Sequence, residues 1–266
     1  MIGMSIRVST RALSLAACVG LIPAALACPF CHQARDYIVG DTMDMGNGSV
    51  RTWVHVDKDG KPDQIGITFT ETALEGLQTA KPDNGMDGYE FTLKLPKEAS
   101  VLPFDHVGID WNPAGHTPAP IYTVPHFDFH FYMIPPAERM RIDPAGEGMK
   151  LCQKKPAPSF LPKDFIYAPD SEIKYMGSHW IDVNTPELHG KPFTQTFIYG
   201  SYNGKVVFIE PMVTMEYLKS KPNETFKLPQ PQKLTYKGKL YPTKYHIRYL
   251  PDRREYQILL DGFVKG

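Results

Sequence analysis

The sequence has no excess of charge of either sign: 29 lysines and arginines balance 29 aspartates and glutamates. A nucleic-acid binder needs a basic surface to displace condensed counterions, so this balance argues against that class. No interior apolar run reaches the roughly 20 residues needed to cross a bilayer, so the folded part is not a membrane helix bundle. Motifs for nucleotide and activated-serine chemistry are also missing: there is no G-x-S-x-G, no P-loop and no dinucleotide fingerprint. The chain has neither an internal repeat nor a low-complexity tract. What it does have is 42% hydrophobic and 12% aromatic residues, enough for a core, with 25 prolines and 21 glycines that favour many short strands and turns over long helices.

The first residues read as an export signal. Arg7 and Arg11 precede an apolar stretch from Ala12 to Ala27, no acid appears before Asp36, and Ala25-Leu26-Ala27 forms an A-x-A cleavage site. The expected mature chain starts at Cys28 and works in the periplasm or secreted, where disulfide formation and metal acquisition are both open to it. Ala-Leu-Ala-Cys also loosely resembles a lipid-attachment site, which would make Cys28 a lipoprotein anchor. Cysteines 28, 31 and 152 survive processing, and an odd count leaves one unpaired or otherwise used. Cys28-Pro29-Phe30-Cys31-His32 has the C-x-x-C-H form of c-type haem attachment, in which two thiols add to the haem and the histidine takes the iron. The competing readings of Cys28, Cys31 and His32 are a small disulfide loop, a lipidated Cys28 and a Cys/His metal clip.

The remainder predicts an all-β fold with minor short helices: a single β-barrel or β-sandwich of about ten strands. Residues 1–27 are the signal. Residues 28–266 form one β-rich domain, with a Cys- and Met-containing segment at 28–45 and a motif-bearing core at 105–217. Alternation over Val50 to Val56, then Ile65, Ile67 and Phe69, predicts a hairpin about the turn Asp57-Lys58-Asp59-Gly60. Thr72 is expected to cap a short helix through Leu77. Val107, Ile109 and Trp111 mark one strand and His126 to Ile134 another, joined by a proline-rich loop. The stretch from Asp143 to Asp170 reads as an irregular surface excursion. Asn203-Gly204 is a two-residue hairpin turn, and a regular register about it places Glu210 opposite Phe197. Val213 to Lys219 reads as a short helix, and Leu240 to Tyr249 with Glu255 to Leu260 as a last hairpin.

The densest chemistry lies at His126-Phe127-Asp128-Phe129-His130-Phe131-Tyr132. On a strand, alternate residues share a face, so His126, Asp128, His130 and Tyr132 point one way and the phenylalanines the other. Two histidines flanking an aspartate suit a metal better than they suit water. Neighbours on that face lie ~6.6 Å apart and the two histidines ~13 Å apart, so one ion takes both only across a bulge. Further ligands are expected from His116, in Gly115-His116-Thr117-Pro118, from His179, in Gly177-Ser178-His179-Trp180, and from Glu210, in Glu210-Pro211-Met212. Such a set suits zinc, iron, manganese or copper. A hydrogen-bonded polar core is the competing reading. His32, His55, His106, His189 and His246 are treated as ordinary, with His246 solvated.

These motifs, together with Phe197-Ile198-Tyr199-Gly200, resemble a family of exported bacterial proteins known mainly as a domain of unknown function. The resemblance spans His106 to Tyr217 and implies that the histidine segments form one module, without implying a reaction. The spacing also resembles cupins, barrels that hold a metal with strand histidines and a glutamate. It departs from them where Asp128 stands between the histidines, and the later cupin glycine pattern is missing.

Two functions from different classes follow. One is a metalloenzyme acting on a small molecule, with His126, Asp128, His130, His179 and Glu210 supplying ligands and one general base. The other is a non-catalytic binder of a metal or small ligand, whose site would be closed by four or more protein ligands. A haem electron-transfer protein is a third reading. The expected partners are a small molecule and a second copy of the chain, with no nucleic acid.

Overall fold

The computed structural model describes residues 37–266. Fifteen strands follow in chain order: β1 (Tyr37–Met45), β2 (Gly48–Val56), β3 (Pro62–Thr70), β4 (Tyr89–Lys94), β5 (His106–Asn112), β6 (His126–Tyr132), β7 (Phe165–Tyr167), β8 (Ser178–Asp182), β9 (Gln195–Tyr202), β10 (Lys205–Thr214), β11 (Asn223–Lys227), β12 (Leu240–Tyr241), β13 (Lys244–Leu250), β14 (Glu255–Asp261) and β15 (Val264–Lys265). Three short helices, α1 (Pro136–Arg139), α2 (Glu147–Cys152) and α3 (Met215–Lys219), are the only α-helical pieces among the described residues. None is long and apolar enough to cross a membrane.

The strands form a six-stranded sheet, β1-β2-β3-β14-β13-β11, a seven-stranded sheet, β4-β5-β6-β10-β9-β8-β7, and the pair β12-β15. The two large sheets pack face to face. Phe69 of the first stacks on Phe127 and Phe129 of the second, with ring centroids 6.3 and 6.0 Å apart. Phe197 meets Tyr245 across the same gap at 5.1 Å. Each such ring, fully buried, contributes about 1.5–3 kcal/mol. Along the edge where β1 approaches β4, Thr52 Oγ1 donates to Lys94 O and Asp41 accepts from the Lys94 amide, instead of a strand ladder.

Among the described residues no sheet closes into a barrel, which overturns that expectation and removes the architectural basis of the cupin likeness. Among the described residues, the predominantly β character and the absence of long helices are as expected, with more strands than the pattern suggested. The Thr72–Leu77 helix is replaced by a 3-10 turn over Glu71–Leu74, in which Thr72 is internal and the preceding Thr70 makes no capping bond. The stretch from Asp143 to Asp170 is less irregular than expected, because it carries α2 and β7 and buries Cys152, Leu161 and Phe165. The Asn203-Gly204 turn forms with positive φ at both residues. A bulge between Val206 and Phe208 then shifts the register by one, so Glu210 opposes Ile198 rather than Phe197. Helix α3 forms with Thr214 Oγ1 accepting from the Tyr217 amide at its start. The export signal and Cys28, Cys31 and His32 lie outside the described residues; Cys152 is buried, with no disulfide partner among them.

The second face of the seven-stranded sheet positions the site. Alternation sends Phe127, Phe129 and Phe131 into the inter-sheet core, so His126, Asp128, His130 and Tyr132 must face outward. They are nonetheless buried, as is every residue of β5 and β6. Two satellite clusters roof that face: Ile134, Ile142, Cys152 and Met176 around Tyr132 and Phe208, and Tyr122 and Phe193 around Ile198 and Met212. The polar face is therefore a largely covered layer between the sheet and these clusters.

Candidate metal centre

β6 supplies His126, Asp128 and His130, and its neighbours complete the floor. β5 places Asn112, Asp110 and Gly108 directly opposite these three residues. On the other side, β10 sets Met212 opposite Asp128 and carries Glu210 two residues earlier. His179 lies beyond β9 on β8, where it pairs with Gly200. His116 comes from the proline-rich loop after β5. Gly115 makes that loop possible: its φ is +64°, and a Cβ there would stand 2.1 Å from Tyr122 O.

β6 runs without a bulge against β5, so His126 and His130 do not converge. The six candidate residues separate into two triads, His116–His126–Asp128 and His130–His179–Glu210, with the ligand atoms of each within 4.8 Å of one another. In the first, His116 Nε2 lies 3.3 Å from Asp128 Oδ2 and His126 Nε2 3.2 Å from Asp128 Oδ1. In the second, His130 Nε2 and His179 Nε2 lie 3.4 and 3.9 Å from Glu210 Oε2. Ligands on a tetrahedral zinc-sized ion, each about 2.0–2.1 Å from it, stand roughly 3.3 Å apart, so these separations are close to the edges of a coordination polyhedron.

The far nitrogens are held by the protein. Nδ1 of His116 donates to Thr117 O at 2.6 Å, that of His126 to Val124 O at 2.7 Å, and that of His179 to Ser171 O at 2.7 Å. A carbonyl can only accept, so each of these Nδ1 atoms carries the proton, and a neutral ring keeps its lone pair on Nε2. His130 Nδ1 faces Asp110 Oδ2 at 3.0 Å, poorly aligned for a hydrogen bond. Asn112 Nδ2 donates to Asp128 Oδ2 at 2.7 Å.

A lone pair aimed at a carboxylate is repulsive unless a proton or a cation lies between. With protons alone, burial pulls His116 and His130 down, yet Asp128 in one case and Glu210 with Asp110 in the other outweigh it and raise both to about 9. Burial lowers His179 to about 4 and raises Glu210 to about 8. Burial would raise Asp128 too, but His126 and His116 hold it well below the ordinary carboxylate range. Protons still leave His126 Nε2, Asp128 Oδ1, His130 Nε2 and Glu210 Oε2 buried without a hydrogen-bond partner. Each such atom costs about 1–3 kcal/mol. A cation at each triad would satisfy all four. The two clusters can thus coordinate a transition-metal ion.

Five of the six residues, all but His126, line one cavity of about 230 Å³, walled on its apolar side by Ile181, Ile198 and Met212. That is below the roughly 300–1,000 Å³ of drug-sized pockets, so only a small occupant fits.

Asp110 and Asn112 escaped the sequence reading, although the signal was present. If Val107, Ile109 and Trp111 face the core, the alternate residues of β5 must share the metal face. His106 belongs to neither triad and stacks on the Tyr132 ring at 4.9 Å. His246 is half-buried rather than solvated, with Nε2 2.9 Å from Asp261 Oδ2 and Nδ1 2.8 Å from Thr225 Oγ1.

Fold and site define a β-rich protein of two packed sheets with two buried histidine–carboxylate clusters. The family described as "TTHB210-like: Hypothetical protein TTHB210" matches residues 57–111. That stretch ends within β5, so it includes Asp110 but none of the six candidate ligands. It meets the 106–217 stretch of motif resemblance only over 106–111. No curated protein and no solved structure matches the chain.

Proposed function

We propose that this protein is a metal-dependent enzyme acting on a small molecule, with its working ion held by His130, His179 and Glu210. One observation carries this reading: two histidines and one carboxylate, with His130 Nε2 and Glu210 Oε2 unpartnered, line one partly open cavity. Three protein ligands leave a coordination position for water or substrate, as catalysis requires and a storage site does not. A two-histidine, one-carboxylate set is typical of hydrolytic zinc and of non-haem iron(II), which narrows the choice of metal. Such an ion would supply Lewis-acid polarisation of an oxygen, or redox chemistry if it is iron. The chain's own residues orient the ligands through Asp110 and Ser171 O, and Ile198, Met212 and Phe208 keep water from the rings. A non-catalytic binder is the second reading. It is favoured only if a fourth protein ligand closes the site. The A-x-A site after an apolar stretch supports export to the periplasm or beyond, and a second copy of the chain remains a proposed partner.

Elemental analysis with a visible spectrum, on untagged protein purified from a periplasm, tests the reading. Bound zinc or iron without a Soret band supports it, and His130→Ala should remove that ion while leaving the fold. A Soret band would move the metal to Cys28, Cys31 and His32. Protein that is metal-free and takes up neither ion when offered it would reduce the triads to polar core.

A further inference from the structure

The His116–His126–Asp128 triad borders the same cavity through His116 and Asp128 but is built differently, because one of its three members is carried by a loop. His126 and Asp128 are buried floor residues of β6 with Nε2 and Oδ1 unpartnered. His116 lies in the segment between β5 and β6, and its Nε2 faces the same aspartate at 3.3 Å. The loop's backbone bonds close mostly on the loop itself: His116 N to Tyr122 O, and Ile121 N and Tyr122 N to Pro118 O. The end of the loop is tied down by protein contacts: Val124 O accepts from His126 Nδ1 at 2.7 Å, Pro125 O accepts from the Met215 amide at 2.9 Å, and Tyr122 packs with Phe193, Ile198 and Met212. Nearer its start, His116 meets the floor through its approach to Asp128 and its ring contact with His126 at 4.6 Å. Thr117, Pro118 and Tyr122 of this loop line the cavity beside the other triad.

We propose that His116, His126 and Asp128 bind a second, separate metal ion that clamps the 113–125 loop onto the sheet and so holds one wall of the cavity. The two ions do not share a ligand: Asp128 serves one triad and Glu210 the other. Carboxylate-bridged pairs stand about 3.5–4 Å apart, whereas the two sets are offset along β6 by about two residues, ~6.6 Å. The second ion is thus a fastener, and its loss frees the loop without emptying the first centre. The inference rests on reading these triads as metal ligands, but it concerns a different ion, and the test separates the two.

Metal-free protein, prepared by chelation, is titrated with Co²⁺ and Zn²⁺, with His116→Ala and His130→Ala in parallel. His116 is a half-buried loop residue, so its removal opens no core cavity. The expected result is two equivalents of metal in the parent and one in each variant. Hydrogen exchange over residues 113–124 should slow roughly tenfold when the parent is fully loaded, and not in His116→Ala. One equivalent in the parent, lost in His130→Ala but kept in His116→Ala, overturns the second site and leaves the first centre standing. Two equivalents with loop exchange unchanged by metal overturn the clamp. No uptake at all overturns this inference and the proposed function together.

Discussion

Gly200 and Phe208 are cross-strand partners in which the glycine's missing side chain is filled by the phenylalanine ring. A Cβ on Gly200 would stand 2.0 Å from that ring. From this position Phe208 meets His130 at 4.9 Å and His179 at 5.3 Å between ring centroids, wedged against both histidines of the His130–His179–Glu210 triad. Gly200 also pairs with His179 on its other side, and that imidazole lies 3.9 Å from Glu210 Oε2.

Gly200→Ala should therefore displace Phe208 at a cost of about 1–3 kcal/mol, the usual penalty for overpacking. Urea denaturation reads the cost. Zinc titration should show weaker binding at the His130 triad, with the His116 triad unchanged. Unaltered affinity at both would mean that Phe208 does not support the histidines.

Asp110→Asn removes the charge facing His130 Nδ1 at 3.0 Å but keeps the shape. Loss of such an outer partner lowers metal affinity about 10–100-fold. Calorimetric titration should find that drop with little change in melting temperature. An affinity equal to the parent's would show that Asp110 only fills space.

The pH response should reverse sign with metal. In metal-free protein His116 and His130 are raised to about 9 from an ordinary 6.5. A raised folded value contributes stability that is complete below the unfolded value and is lost as pH climbs through the folded one. Burial raises Glu210 to about 8, which acts in the same direction. Metal-free protein should thus lose stability between about pH 6.5 and 9, at up to roughly 1.4 kcal/mol per pH unit for each proton involved. Metal must displace these protons, so zinc affinity should rise across the same window. Calorimetry at several pH values, with and without zinc, checks both. Parallel curves would contradict the assignment of metal to these rings.

Arg139→Ala breaks a two-pronged pair, Nη1 and Nη2 to the Glu90 carboxylate at 2.5 and 2.6 Å, that ties α1 to β4. The guanidinium also lies 4.3 Å from the Tyr132 ring centroid. Breaking a fully buried pair costs about 3–5 kcal/mol. Glu90 keeps 26% of its side chain exposed, so about 2–3 kcal/mol is expected in the denaturation midpoint. No shift would mean that water replaces the arginine without loss.

The sequence by itself determined the local rules. Period-two alternation decided that His126, Asp128 and His130 share a face and that Phe127, Phe129 and Phe131 form the opposite one, because strand geometry allows nothing else. It also marked all six residues that the two triads use. Tertiary structure decided how those six divide. The division depends on β6 running straight, on a bulge near Val207 that sets Glu210 opposite Ile198, and on Gly200 admitting the Phe208 ring beside His130 and His179. It likewise decided that the sheets pack as two layers rather than closing, and that Tyr122, Ile142, Cys152, Met176 and Phe193 cover the polar face. These are long-range pairings and packing contacts between segments far apart in the chain. The alternation within one strand is satisfied equally by a barrel, a sandwich or a covered sheet, so only the contacts between strands choose among them.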